Sequence, residues 1–137
     1  MKKILFLLCV FLFVTNCTTQ NRSNNTNSEA TIKPELNDDG EYELHVLDSE
    51  YDYFLMTKAK PMSFYTEDYL KSRNRLLVSD WNAKYYSGRY RDVIESSIDY
   101  DPNINYGLEY EYRLFQVFNY VYWKYGLKLN GITGLAF

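Results

Sequence analysis

The hydrophobic pattern of the chain begins with a long apolar run before any pattern of a folded domain appears. Lys2 and Lys3 precede eleven apolar residues, Ile4 to Val14, and the run gives way to polar residues just before Cys17. As a helix this run would span roughly 17 Å, whereas the hydrocarbon core of a bilayer is about 30 Å thick. A basic start followed by an apolar run of this length is typical of a signal peptide and too short for a transmembrane anchor.

The next segment has almost no large apolar residues. Residues 18–40 read TTQNRSNNTNSEATIKPELNDDG, in which Ile32 and Leu36 are the only large aliphatic side chains. Such a segment cannot bury enough apolar surface to offset the entropy lost on ordering. We therefore predict a signal peptide over residues 1–16, an acylated cysteine and flexible tether over 17–40, a globular domain over 41–130 and a tail over 131–137.

The domain begins with an alternating pattern and continues with helical ones. Tyr42, Leu44 and Val46 alternate with polar residues, which predicts a half-buried strand over 41–47. Asp48 can cap a short helix or turn that ends before Pro61.

Two longer helices follow in the pattern. One is predicted to start at Thr66 and end at Ser87-Gly88, although RLLVSDW, residues 75–81, would also suit a strand. Its predicted buried face comprises Leu70, Leu77, Trp81 and Tyr85, joined by Tyr69 and Leu76. Residues 93–100 have a strand-like pattern.

The last helix is predicted over Tyr106–Tyr125, capped by Asn105 or Asp101 at its start and by Gly126 at its end. Its predicted buried face comprises Leu108, Phe115, Phe118, Val121, Tyr122 and Tyr125. Together these elements predict a small single α+β domain with two short strands and two or three helices.

Charge and cysteine content exclude several functional classes. The net charge is −3, and removal of Lys2 and Lys3 with the leader makes it −5, which argues against nucleic-acid binding. The two cysteines are Cys9 and Cys17, so the domain has no internal disulfide, zinc-thiolate site or cysteine nucleophile. Residues 58–91 carry five more basic than acidic side chains, whereas residues 92–112 are acidic. The halves either neutralise each other, or the basic half faces anionic lipid or another polyanion.

The cysteine at the end of the leader points to lipidation. An aliphatic Val14, a small Thr15 and then Cys17 resemble the lipobox of bacterial lipoproteins, although Asn16 departs from the usual small residue. Acylation of Cys17 with two or three chains would hold the protein on a membrane, since each buried methylene contributes about 0.8 kcal/mol. Thr18 after the cysteine, and the lack of an acidic block behind it, resemble the sorting pattern for the periplasmic face of the outer membrane. The alternative is a secreted protein whose leader ends near a cysteine.

Few residues suggest catalysis or metal binding. His45 is the only histidine and stands on the polar side of the first strand, so it cannot form a multi-histidine metal site. Asp99, Asp101, Asn103 and Asn105 alternate as in a calcium loop, but Ile104 and Tyr110 occupy the positions where an EF-hand requires Gly and Glu. These four residues are weak candidates for a looser metal site or, alternatively, form a turn. A carboxylate pair drawn from Asp48, Glu50, Asp52 and Asp99 would suit a glycan hydrolase. No cofactor is predicted.

Aromatic residues supply the candidate binding surface. All fifteen tyrosines and both tryptophans lie between residues 42 and 125. Tyrosine suits a thin domain in which few side chains are wholly buried, and it is also enriched at binding surfaces for proteins and glycans. The residues selected as binding candidates are Tyr51, Tyr53, Trp81, Tyr100 and Tyr106.

Four segments carry a resemblance to a known family. They are EYELHVLD, YDYFLMTKAKPMSFYTEDYL, NRLLVSDWNAK and IDYDPNINYGLEYEYRLFQVFNYVYWKYGLKL, and together they cover residues 41–129. The chain resembles a family of small uncharacterised lipoproteins from Bacteroidota, defined as a domain of unknown function. The resemblance implies a lipid-anchored envelope protein and brings no catalytic residue, ligand or cofactor. We therefore expect a membrane lipoprotein with a binding or structural module, and a carboxylate-based hydrolase acting on envelope glycans as the alternative.

Overall fold

The computed structural model describes residues 31–46 and 48–130. The predicted leader, Cys17 and the tail over 131–137 lie outside this part, as does Leu47 within the predicted first strand. The described chain contains three helices: α1 (Ser49–Thr57), α2 (Glu67–Ser87) and α3 (Leu108–Tyr125). Its strands have two residues each: β1 (Thr31–Ile32), β2 (Glu35–Leu36), β3 (Tyr42–Glu43) and β4 (Ser97–Ile98). The predicted small single α+β domain is confirmed.

The short strands pair in two separate sheets. β1 runs parallel to β4, with Ile32 opposite Ile98, and β2 runs antiparallel to β3, with Leu36 opposite Tyr42. β1 and β2 lie in the segment predicted as tether, so the described fold includes residues before the predicted boundary at residue 41. The strand predicted over 41–47 is regular at Tyr42–Glu43, but its alternation holds through Val46, since Leu44 is buried and His45 is exposed.

Local capping signals set the ends of α1 and α2 as predicted. The Asp48 side chain accepts a hydrogen bond from the backbone N–H of Glu50, and the Thr66 hydroxyl accepts one from that of Tyr69. Gly88 ends α2 in the left-handed region at φ 67°, which glycine adopts without steric cost. Residues 75–81 are helical because Leu70, Leu77 and Trp81 continue one buried face across them.

Helix α3 is the centre of the domain. Every residue from Leu114 to Val121 is buried, because α1, α2 and β3 pack around the helix. The start of α3 differs from the prediction, because the residue at the cap position is Gly107, which has no side chain to accept a hydrogen bond. The Asn105 side-chain oxygen accepts a hydrogen bond from the Gly107 N–H, and the Asp101 carboxylate accepts one from the Asn103 N–H. Both side chains therefore stabilise the turn before the helix, and not the helix itself.

Three residues assigned to buried helical faces are exposed. Tyr69 and Leu76 lie on the solvent side of α2, and Tyr125 lies at the exposed end of α3. Helix α2 packs against α3 and β4 and leaves its other side in solvent, so the face predicted to be buried was wider than the buried one. No helix within the described ranges is long and apolar enough to cross a membrane.

Candidate functional site

A cleft of about 570 Å³ lies between the β2–β3 hairpin and the start of α3. The hairpin is built by Asn37, whose side-chain oxygen accepts hydrogen bonds from the backbone N–H groups of Asp39 and Glu41 at 3.0 and 2.9 Å. Gly40 closes the turn at φ 79°. Asn37 also donates to the Glu43 carboxylate at 3.0 Å, so one side chain fixes both the turn and a residue of the cleft wall.

Stacked tyrosine rings form the inner wall of this cleft. The Tyr106 and Tyr110 rings stack with their centroids 4.7 Å apart, and the Tyr42 ring meets Tyr106 edge-on at 4.9 Å. Tyr100, which does not line the cleft, stacks on Tyr106 with the ring centroids 5.2 Å apart. These contacts hold the hairpin against α3, because ring pairs in these geometries add to the free energy gained by burial alone.

The buried end of the wall contains one unsatisfied hydroxyl. Burial raises the pKa of Tyr110, and its hydroxyl has no hydrogen-bond partner among the described residues. The Tyr106 hydroxyl, by contrast, accepts a hydrogen bond from the Asp101 N–H at 3.0 Å.

Charged side chains line the rim of the cleft. Glu41, Glu43 and Glu109 are acidic, and Arg113 pairs with Glu109 at 3.2 Å within α3. His45 Nε2 lies 3.6 Å from the Glu43 carboxylate. The rim therefore has more hydrogen-bond acceptors than donors, which favours hydroxyl-bearing or amine-bearing ligands over anions.

A buried carboxyl lies behind the cleft and does not line it. Glu111 has no exposed surface and accepts hydrogen bonds from Asn74 Nδ2 at 2.7 Å and from the Tyr100 hydroxyl at 3.0 Å. Burial raises its pKa, and the hydrogen bonds from Asn74 and Tyr100 oppose that rise. A raised pKa is typical of a catalytic acid, but Glu111 is sealed from solvent, so its environment is that of a structural group.

The predicted aromatic residues do not form one surface. Tyr51, Trp81 and Tyr106 are buried: the Tyr51 hydroxyl donates to the Arg113 carbonyl at 2.8 Å, and Trp81 Nε1 donates to the Ser96 carbonyl at 2.8 Å. Tyr100 is half-buried, and Tyr53 is exposed on α1. Tyr106 contributes to the cleft, whereas Tyr51 and Trp81 belong to the core and cannot contact a ligand at the surface.

The predicted metal candidates form a turn. Asp101 Oδ1 accepts from both the backbone and the side-chain amide of Asn103, at 2.8 and 2.9 Å. Asn105 lines the cleft, whereas Asp99 is exposed and does not line it. Within residues 31–46 and 48–130, no group of three His, Cys, Asp or Glu side chains could hold a metal ion.

Reasoning from the sequence missed Glu111 and Asn74. Both are polar residues at helical positions whose neighbours three or four residues away are apolar: Leu70 and Leu77 flank Asn74, and Leu114 and Phe115 follow Glu111. Such spacing places a side chain on the buried face. Asn74 and Glu111 therefore fall on the buried faces of two helices, and this placement was the signal that they form a buried hydrogen-bonded pair.

The comparison with known families gives one result. Residues 5–135 match the model of DUF6146, a family of unknown function. The chain belongs to DUF6146. The predicted membership of a family of unknown function is thereby confirmed, whereas the lipoprotein character and the bacterial group of that prediction are not tested by the match. The matched range starts inside the apolar run of residues 4–14 and includes Cys17. No curated protein and no solved structure shows a significant match to the chain.

Proposed function

We propose that this chain is a lipoprotein, anchored by acylated Cys17 to the periplasmic face of the outer membrane, with a non-catalytic binding or structural domain. The observation that carries the proposal is the boundary in the sequence: a basic start, eleven apolar residues, the lipobox-like Val14-Thr15-Asn16-Cys17 and then a polar segment. The family match supports it, because the matched range includes this boundary together with the domain.

The anchor is strong enough to decide where the protein resides. A single acyl chain binds a membrane only weakly, but a second chain makes the attachment stable, since each methylene adds about 0.8 kcal/mol. A tether of residues 18–30 then connects the acylated cysteine to β1. The domain would therefore work beside the membrane surface and not within the bilayer.

The cleft supports a binding role for the domain. Its wall of stacked tyrosines presents flat apolar surface, and its rim of Glu41, Glu43 and Glu109 presents hydrogen-bond acceptors. Sugars and basic peptides have the complementary chemistry, with hydroxyl or ammonium donors beside apolar faces. An envelope glycan or protein is the class of partner that this cleft fits.

The hydrolase alternative receives no specific support from the structure. Of the carboxylates proposed for it, Asp48 and Glu50 both bind Lys124, at 3.1 and 2.9 Å. Neither lines the cleft, and neither does the buried Glu111. The carboxylates that line the cleft belong to Glu41, Glu43 and Glu109, whereas the buried carboxyl with the raised pKa belongs to Glu111.

Palmitate labelling of cells tests the anchor. We expect the wild type and Cys9→Ala to incorporate label and to sediment with the membranes, because Cys9 lies in the leader that is removed. Cys17→Ala should lose the label and leave the membrane fraction. Equal labelling of Cys17→Ala and wild type would contradict the proposal.

A second experiment tests the cleft. Glu43→Gln combined with Glu109→Gln removes two rim charges, and Asp92→Asn combined with Glu95→Gln removes two exposed charges outside the cleft. After crosslinking of intact envelopes, the cleft variant should lose a partner that the wild type and the control retain. Identical crosslinked products from all three proteins would refute binding through the cleft.

A further inference from the structure

Aromatic and basic side chains share a second surface, at the end of α2 away from Gly88. Lys60, Phe64, Tyr65 and Tyr69 line one shallow groove there, and the Arg73 guanidinium lies 5.3 Å from the centre of the Tyr69 ring. We call these five residues the aromatic–basic surface. Tyr65 attaches this surface to the core through an edge-on contact with Phe115 at 5.5 Å.

Phe64 is the most unusual member of this surface. It ends the short 3₁₀ turn Met62–Phe64 and is 72% exposed, although its ring has no polar atom. The exposed Met62 and Tyr69 accompany it. Exposed apolar side chains that cluster in this way mark contact surfaces more often than single exposed residues do.

The charge around Phe64 has one predominant sign. Residues 58–75 contain five basic and two acidic side chains. Lys58 and Lys60 are exposed, and the ion pairs among the described residues include neither of them. Their charges are therefore available to a negatively charged partner.

The combination of side chains fits a membrane surface. Aromatic side chains sit at the level of the lipid headgroups, and Lys and Arg beside them are attracted to anionic lipid. An exposed phenylalanine with a lysine in the same groove can insert its ring among the acyl chains while the ammonium group remains at the phosphates.

The position of the chain end allows this contact. β1 pairs with β4, and the Asn82 side chain bonds to both the N–H and the carbonyl of Ile98, so residue 31 enters the fold beside the second half of α2. From Asn82 to Tyr69 along α2 is about 20 Å. The thirteen residues 18–30 can span at most about 45 Å, which exceeds that distance. The aromatic–basic surface can thus reach the bilayer that holds Cys17.

We propose that the aromatic–basic surface docks on anionic lipid of the membrane to which the chain is anchored, with Phe64 inserted at the interface. This inference rests on the acyl anchor of the proposed function. Docking would give the tethered domain a fixed orientation and would leave the acidic cleft directed at a different surface.

Quenching by lipids that carry a spin label on the acyl chain tests the docking. The full acylated chain is reconstituted in phosphatidylglycerol vesicles as wild type, Phe64→Trp and the control Tyr86→Trp. Tyr86 is 65% exposed at the opposite end of α2, so it matches Phe64 in exposure but not in position. The added fluorescence of Phe64→Trp should be quenched about twofold more than that of Tyr86→Trp.

A charge series sharpens the test. Lys58→Gln with Lys60→Gln, added to Phe64→Trp, should weaken docking by about fivefold for each lysine removed. Arg89→Gln with Arg91→Gln removes the same charge near Tyr86 and should leave the quenching unchanged. Phosphatidylcholine vesicles, which are neutral, should reduce the quenching of Phe64→Trp.

Each outcome decides between the anchor and the docking. Acylation is measured by mass and flotation, and docking by quenching in the floated fraction. An acylated, floating chain in which Phe64→Trp and Tyr86→Trp are quenched alike overturns the docking alone. A chain that carries no acyl group and does not float overturns the anchor and the docking together. A concentration-dependent blue shift of Phe64→Trp without vesicles would show a second copy on this surface and would also overturn the docking.

Discussion

Two networks in this domain use the same pair of groups, a carboxyl and a tyrosine hydroxyl, in opposite surroundings. In the interior network, Tyr100 donates to the buried Glu111 at 3.0 Å. In the peripheral network, Tyr120 donates to Asp48 at 2.5 Å, and Lys124 Nζ lies 3.1 Å from the same carboxyl. Burial raises the pKa of Glu111, whereas the hydrogen bond from Tyr120, supported by Lys124, lowers the pKa of Asp48.

The difference shows that burial decides which effect prevails: a hydrogen bond from a tyrosine lowers the pKa of both carboxyls, but desolvation outweighs it at Glu111 and not at Asp48. Glu111 has amide and hydroxyl donors but no cation within hydrogen-bond distance, so its desolvation is only partly offset. Asp48 keeps contact with water and has an ammonium partner. Burial and the Asp48 hydrogen bond raise the pKa of Tyr120 to about 12, so its hydroxyl remains a donor at neutral pH.

Both networks hold α3 in place. The interior network joins α3 to α2 through Asn74, and the peripheral one joins the last turn of α3 to the Asp48 cap of α1. None of their members lines the cleft. We therefore assign both networks to stability, and the predictions below separate them by size, by pH and by salt.

Asn74→Ala should give the largest effect. The substitution removes the donor to both the carboxylate and the backbone carbonyl of Glu111 and leaves a buried acceptor unpaired. We expect the free energy of unfolding to fall by about 3 kcal/mol in urea titrations. Asn103→Ala, at an exposed turn, is the control and should cost about 0.5 kcal/mol. Equal losses would mean that Glu111 does not depend on Asn74.

Glu111→Gln should stabilise the domain at neutral pH. Because the folded pKa of Glu111 is raised above its ordinary value of 4.5, its favourable contribution to stability is complete below about pH 4.5 and is lost as the pH rises through the folded pKa. The amide has no charge to bury, so we expect a gain of about 1 kcal/mol at pH 7 and little change at pH 4. Urea unfolding at the two pH values measures this difference, and a destabilised variant at pH 7 would show that the charge is required.

Asp48→Asn should have a smaller effect with the opposite dependence on pH. Asparagine keeps the helix cap but removes the charge that faces Lys124. A lowered folded pKa gives stability that is present above the ordinary value of 3.8 and is lost as the pH falls through the folded pKa. The variant should therefore lose about 0.5 kcal/mol at pH 7 and approach the wild type in acid. A loss that grows in acid would contradict this sign.

Salt should produce the smallest change and should act on one network only. At 1 M salt the Debye length is about 3 Å, so the attraction between Asp48 and Lys124 is screened at the surface. The difference between wild type and Asp48→Asn should shrink by a few tenths of a kcal/mol, whereas the gain from Glu111→Gln should remain. Equal salt dependence of the two variants would place Glu111 in contact with solvent.

Local signals in the sequence predict the elements of this fold well and their contacts poorly. Asp48, Thr66, Gly88 and Gly126 act on the backbone within a few residues, so they locate helix ends correctly. The pairing of β1 with β4 depends on the folded arrangement of distant segments, and a two-residue strand has no periodic pattern.

The candidate site was harder to predict for a related reason. Tyrosine fits a core or a surface equally well, so the sequence could not separate the buried Tyr51 from the exposed Tyr53. The cleft depends on the Asn37 turn, which lies in the segment predicted as tether. Glu111 resembles an ordinary acidic residue in the first turn of a helix until the buried face of that helix is known.

Because both networks serve stability, the proposed function depends on the acyl anchor and not on them. The domain supplies a cleft and an aromatic–basic surface, and the proposed location in which they work rests on the acylation of Cys17. Mass spectrometry of the N-terminal peptide of the purified mature protein tests that claim most directly. We predict that the chain starts at Cys17 and carries the mass of two or three acyl chains. A mature chain that starts at another residue, or an unmodified Cys17, would contradict the account.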